Sequence, residues 1–287
     1  MEERTLQTEK WTDAQGHSFR LLNWPHPSSE PKATVLIHHG HGEHGGRYAS
    51  LVAGLSGLPV DIWTFDARGH GETDGARGDA AGLSGLVDDL EKIIDLIVSK
   101  TENRKIILMG HSMGGAVVGF YATTRAPHHC IQGLILSAPA LEIHRNALIE
   151  IKLLVGKVLG KAVPRLSLAT GLDASGISSV PEEVERYKAD PLIHSKITAQ
   201  LGVSLVDDAA HVIAGASKVT LPTLVYHGDA DPIVNIEGTR QFVKGLATDD
   251  VTYKELAGLF HEPHHESAAE RQKLFQLIQD WIEPRLG

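Results

Sequence analysis

Apolar residues in this chain come in short dense runs, each followed by a turn and then a stretch with helical spacing. Residues 33–39, Ala33-Thr34-Val35-Leu36-Ile37-His38-His39, form the first strong run. Residues 60–66, 105–109 and 131–140 repeat the pattern. Such near-continuous apolar character suits parallel strands covered on both faces. Between the runs, residues 48–55 read as a helix stopped by Gly57 and Pro59. Residues 83–99 carry Leu86, Val87, Leu90, Ile93, Ile94, Leu96 and Ile97 on one helical side. Residues 116–123 read as a buried helix. Upstream, Trp11 and residues 16–24 read as a hairpin ending at Pro25 and Pro27. The alternation stops over residues 141–219, which show helical patterns and no clear strand. It resumes with a strand from Thr223, a helix over 237–246, a strand over 251–256 and a helix over 267–284.

Strand–helix alternation with short links predicts an α/β fold with a mostly parallel, doubly wound sheet. The interruption predicts a helical cap over the carboxyl ends of the strands, where open α/β sheets bind ligands. Residues 1–140 and 220–287 would then be one discontinuous core, and 141–219 the cap.

Composition narrows the function. The 287 residues, 42% hydrophobic and 22% charged, are ample for such a domain. A net charge of -9 argues against nucleic acid as a partner. No run of 18 apolar residues exists to span a membrane, and the polar, acidic start does not read as a signal peptide. Cys130 is the only cysteine, so no intrachain disulfide forms, which fits the cytoplasm.

The chemistry centres on Gly110-His111-Ser112-Met113-Gly114-Gly115. Strand, then G-x-S-x-G, then helix is the context of a nucleophile held on a strained turn. The flanking glycines remove Cβ atoms that would clash there. A serine hydroxyl needs a base, and the base needs an orienting acid. In this fold type the order is serine, acid, histidine. Gly228-Asp229-Ala230-Asp231 and Gly258-Leu259-Phe260-His261 stand at the ends of two later strands, on the edge where Ser112 sits. Asp231 is favoured over Asp229 because it lies further into its loop. His261 is favoured over His264 and His265 because it lies nearest its strand end. An oxyanion would face the backbone N–H of Met113 and a second N–H from the His39–Gly42 loop, assigned to His41.

These motifs resemble the monoacylglycerol lipase and lysophospholipase-like branch of the α/β-hydrolase fold. The resemblance rests on His39-Gly40-His41-Gly42-Glu43-His44 with Arg47-Tyr48, on Asp66-Ala67-Arg68-Gly69-His70-Gly71, and on the three motifs above. Pro164-Arg165-Leu166-Ser167-Leu168 and Tyr187-Lys188-Ala189-Asp190-Pro191-Leu192 extend it into the insertion. It implies Ser112, Asp231 and His261 as a triad, His41 and Met113 as the oxyanion hole, and Glu43, Arg47 and His264 around the alcohol. It implies a cofactor-free serine hydrolase for small lipid esters, monoacylglycerols first, with lysophospholipase or broad carboxylesterase as alternatives. His41 stands where the branch usually has a smaller or apolar residue, which makes the pocket more polar there. Ala67 and Thr73 replace a common histidine and serine with no catalytic consequence.

Two other classes compete. His39-x-His41-x-Glu43-His44 resembles the H-x-H-x-D-H of dinuclear zinc hydrolases, with Glu for Asp, and the chain has 17 histidines. A non-catalytic relative that only binds a ligand is the other, but such proteins usually lack a triad member. Within the insertion, residues 147–161 read as a lid helix with a broad apolar face. From Arg145 to Arg165 the chain has five basic residues and one acidic, Glu150, which suits transient peripheral contact with an anionic membrane surface.

Overall fold

The computed structural model describes residues 4–27, 30–102, 104–144, 157, 159 and 162–287. Eight strands form one sheet in the order β1-β2-β4-β3-β5-β6-β9-β10. They are β1 (Gln7–Thr12), β2 (Ser18–Trp24), β3 (Ala33–His38), β4 (Val60–Phe65), β5 (Lys105–His111), β6 (Ile131–Ser137), β9 (Thr223–Gly228) and β10 (Val251–Leu256). The β1–β2 hairpin is antiparallel and β2 joins β4 antiparallel; β4 through β10 run parallel. Strands β3, β4 and β9 are buried at every position, as a sheet covered on both faces demands. The two outermost strands differ. β1 carries Glu9 and Lys10 and is mostly exposed; β10 carries Lys254 and Glu255.

Side-chain alternation divides the core into two layers. On one face Leu36, Leu108, Leu134 and Leu136 meet α2 (Gly82–Lys100) and α3 (Met113–Thr124). On the other, Val35, Ile37, Ile107, Met109 and Ile135 meet α1 (Ala49–Gly54) and the last helix, α7 (Ala268–Ile282). The remaining body helix is α6 (Ile236–Gly245). The apolar stripe predicted on α2 is buried except at Leu96, which is half-buried. Helix α3 starts three residues earlier than the apolar run suggested, directly after Ser112, and α1 is entered through a 3-10 turn at Gly45–Tyr48.

The expectation of no strand in the insertion is corrected. β7 (Ser167–Ala169) and β8 (Lys196–Thr198) pair antiparallel. Three residues are too few to carry a readable period. Helix α4 (Pro181–Ala189) opens with proline and two glutamates, favourable at a helix N-terminus. Helix α5 (Ala199–Ala214) is capped by Thr198 and contributes Leu201 and Val212 to the same core layer as α2 and α3. The predicted lid helix over 147–161 lies outside the described residues apart from Lys157 and Leu159. Lys157 pairs with Asp207 at 3.0 Å.

Candidate active site

Ser112 sits between β5 and α3 with φ 52° and ψ -117°, a conformation few L-residues adopt. Its neighbours explain how the turn closes. A Cβ on Gly110 would stand 2.2 Å from the Gly114 carbonyl oxygen, one on Gly114 2.1 Å from that of His38, and one on Gly115 2.8 Å from Pro139 Cα. The Ser112 amide donates to Ser137 O at 2.9 Å, tying the turn to β6. The Met113 N–H is in the first turn of α3, where intrahelical acceptors are lacking.

Asp231 and His261 reach Ser112 from two neighbouring strand ends. The His261 ring lies with Nε2 2.8 Å from Ser112 Oγ and Nδ1 2.6 Å from Asp231 Oδ2. The other oxygen, Oδ1, accepts the amides of Ile233 at 2.8 Å and Val234 at 3.0 Å. Burial alone would raise the Asp231 carboxyl, but the His261 charge and these hydrogen bonds hold it far below the usual carboxylate range. Burial likewise lowers the His261 imidazole, yet Asp231, with Glu262 and Glu43 behind it, leaves it raised overall. A base poised to take a proton and an acid that stays ionised are what Ser112 requires. Asp229 is exposed and accepts the Gly258 amide at 2.6 Å, so it serves the turn.

Sequence reasoning missed two residues here. His227, at the end of β9, places Nε2 3.0 Å from Asp231 Oδ2. Glu262, next to His261, receives a two-pronged contact from Arg47 at 2.7 Å on each oxygen. Glu262 stood next to a candidate residue and His227 near the end of a predicted strand; nothing else marked either.

The loop after β3 is braced from behind. Glu43 Oε1 accepts the Gly40 amide at 2.6 Å and the Tyr48 hydroxyl at 2.9 Å, and Oε2 pairs with Arg47 at 2.7 Å. A Cβ on Gly40 would lie 2.9 Å from Glu43 Oε1 and 3.1 Å from Ser112 Cβ, so a side chain there would crowd the backbone's passage beside the nucleophile. Arg47 and His264, expected on the alcohol side, stand away from both chambers beside Ser112. Arg47 is turned to Glu43 and Glu262. His264 is fully buried, stacked on Tyr48 with ring centres 5.1 Å apart and edge-on to His111. Only Glu43 of the three faces a chamber.

The zinc reading fails on the same loop. His39 Nδ1 pairs with Gly40 O at 2.7 Å and Nε2 accepts the Ala67 amide at 2.8 Å. His44 Nε2 pairs with Asp190 at 2.9 Å and Nδ1 accepts the Gly46 amide. With Glu43 held by Arg47, these three side chains are turned onto protein partners, and His41 faces the rings of His70 and His194, so among the described residues the motif does not converge on a metal.

Ser112 and His41 both border two chambers. One, of about 840 Å³, is walled chiefly by apolar side chains including Ile143, Leu159, Leu168, Ile197, Val203 and Val206. The other, of about 320 Å³, is more polar and includes Gly40, Glu43, His111, Tyr187, His261 and Glu262. Arranged in this way, an activated hydroxyl faces a site for a long apolar group on one side and for a small polar group on the other.

Comparison with known proteins places this geometry in context. A family model described as "Serine aminopeptidase, S33" matches residues 29–268. The chain is 32% identical over 257 residues to the monoacylglycerol lipase of Mycolicibacterium smegmatis, covering 89% of this chain and 90% of that one. It is 31% identical over 274 residues to the monoglyceride lipase of Homo sapiens, covering 95% and 89%. Among solved structures, the crystal structure of Paleococcus ferrophilus monoacylglycerol lipase matches at a TM-score of 0.78 and 32% identity, covering 97% of this chain and 98% of that one.

Proposed function

The chain belongs to the serine aminopeptidase S33 family of α/β-hydrolases, and we propose that within it this serine ester hydrolase cleaves monoacylglycerols to glycerol and fatty acid. The observation that carries the reading is the position of Ser112 at the junction of a large apolar chamber and a small polar one. An acyl chain would fill the first and the glyceryl group the second. In the proposed mechanism Ser112 Oγ attacks the ester carbonyl as its proton passes to His261 Nε2, and Asp231 stabilises the imidazolium. The oxyanion faces the N–H groups of Met113 and His41. The glyceryl oxygen leaves with the proton from His261, and water then hydrolyses the acyl-enzyme by the same route in reverse.

The charge around the small chamber favours a neutral alcohol. Glu43 and Glu262 share one guanidinium, Arg47, and Lys188 at the rim pairs with Glu185 at 2.9 Å. A phosphodiester headgroup would meet net negative charge there; a diol would meet hydrogen-bond acceptors. Glu43 is the alcohol contact retained in this proposal.

The cap over 141–219 supplies the apolar walls and would touch the lipid surface. Val163, Leu166, Leu168 and Leu172 are exposed on it. Among the described residues no helix is long and apolar enough to cross a membrane, so contact of this kind would be peripheral.

A chain-length series of monoacylglycerols, run beside lysophosphatidylcholine, tests the reading. Monoacylglycerol should lead in kcat/KM. Preference for the lysophospholipid, or failure of a fluorophosphonate to label Ser112, would overturn it.

A further inference from the structure

His227 is fully buried, and both its ring nitrogens are engaged. Nε2 lies 3.0 Å from Asp231 Oδ2 and Nδ1 2.8 Å from Thr239 Oγ1. Oδ2 is the same oxygen that receives His261 at 2.6 Å. An ionised carboxylate only accepts, so His227 Nε2 carries a proton toward it. In the neutral ring Nδ1 is then an acceptor, and the buried Thr239 hydroxyl donates to it. Asp231 therefore selects the tautomer, and the Thr239 hydroxyl, on α6, adapts to it. The carboxylate plane does not depend on this contact, because the Ile233 and Val234 amides hold Oδ1. What His227 changes is the electron density at Oδ2.

We propose that His227 is a positioning residue acting through Asp231: by donating to the oxygen that holds His261, it divides the carboxylate charge between two imidazoles and limits how tightly His261 keeps its proton. The inference rests on the catalytic reading above. The consequence is direct. His261 must take a proton from Ser112 and return it to the leaving alkoxide. An imidazolium bound too strongly to Asp231 would be slow in the second role.

Two substitutions separate the nitrogens. A glutamine amide reaches about as far as Nε2 and can still donate to Asp231. An asparagine amide reaches about as far as Nδ1 and keeps only Thr239. Both remove the ring, so lost packing lowers Tm in both. The readout is the pH profile of kcat/KM on a soluble short-chain ester. His227→Asn should move the acid limb upward by about half a pH unit or more, and His227→Gln should stay close to the parent. Equal shifts in the two, or none in either, would overturn the inference. Asp231→Asn is the control. If it retains parental activity, the catalytic reading itself fails; if it is nearly inactive while His227→Asn keeps the parental profile, only the role of His227 fails. Nitrogen-15 NMR of histidine-labelled parent protein needs no variant to fold. The Nε2–H tautomer is expected for His227, and the Nδ1–H tautomer would overturn the proposal.

Discussion

The Gly40 amide lies 2.6 Å from Glu43 Oε1, so a buried carboxylate holds the backbone that runs past Ser112. The same carboxylate compensates Arg47 and accepts from Tyr48. Glu43→Ala should therefore damage catalysis before it damages alcohol recognition. A loss of about 100-fold in kcat is expected on p-nitrophenyl esters, and a larger one on glyceryl esters, where the alcohol contact is lost as well. Stability should fall by about 3 kcal/mol, because a buried partner of Arg47 is removed. A loss confined to glyceryl esters would show that Glu43 reads the alcohol and does not brace the loop.

Ser112→Ala should abolish fluorophosphonate labelling and nearly all hydrolysis while Tm is kept. Asp231→Asn should cost about 10⁴-fold in kcat, since the His261 tautomer and its imidazolium depend on that carboxylate. Asp229→Asn should stay within a few-fold, because Asp229 meets only the Gly258 amide among the contacts described above. The reverse ranking of the two aspartates would move the acid to the other loop.

The acid limb of kcat/KM should lie above pH 6.5. His261 is raised from its ordinary value of 6.5, and only the neutral ring can accept the Ser112 proton. Activity is thus lost as pH falls through the raised value. A limb well below 6.5 would mean that Asp231 does not govern the base.

Gly202 lines the large chamber from α5, and a Cβ there meets Ile197 only at an ordinary 3.6 Å. Gly202→Leu should fold, shorten the preferred acyl chain and leave butyrate esters nearly unaffected. An unchanged chain-length profile would place the acyl group elsewhere.

His264 tests the acid sensitivity of the fold. Burial, then the charges of His265 and His111, holds it well below its ordinary 6.5. The unfolded chain takes up a proton near 6.5 that the folded one refuses, so stability falls as pH drops below that value. His38 and His111, lowered to about 3 and about 4, act in the same direction. His264→Phe should keep the stack on Tyr48 and flatten the decline of Tm below pH 6.5. An unchanged slope would assign the acid sensitivity to the other histidines.

The strand runs and the Ser112 motif were readable because both have strong local signatures. Near-continuous apolar residues mark buried parallel strands, and paired glycines mark a turn where Cβ atoms cannot fit. Asp231 and His261 stand out in the sequence by their place at successive strand ends. The surroundings of Arg47 and His264 were not legible, because burial and pairing are set by residues distant in sequence. Arg47 meets Glu262 across 215 positions. The β7–β8 pair escaped because three-residue strands carry no period. His227 escaped because a histidine ending a buried strand looks like any other core position until its ring nitrogens acquire partners.

The charged outer strands have a consequence for how the molecule behaves in concentrated solution. A parallel sheet ends in two rows of backbone donors and acceptors that a second chain can extend. On β1, Glu9 pairs with Lys100 and Lys10 with Asp74, and on β10 Glu255 pairs with Arg240. A neighbouring strand that docked there would have to strip water from these ions and meet like charges, so the two rims act as built-in barriers to fibrous stacking.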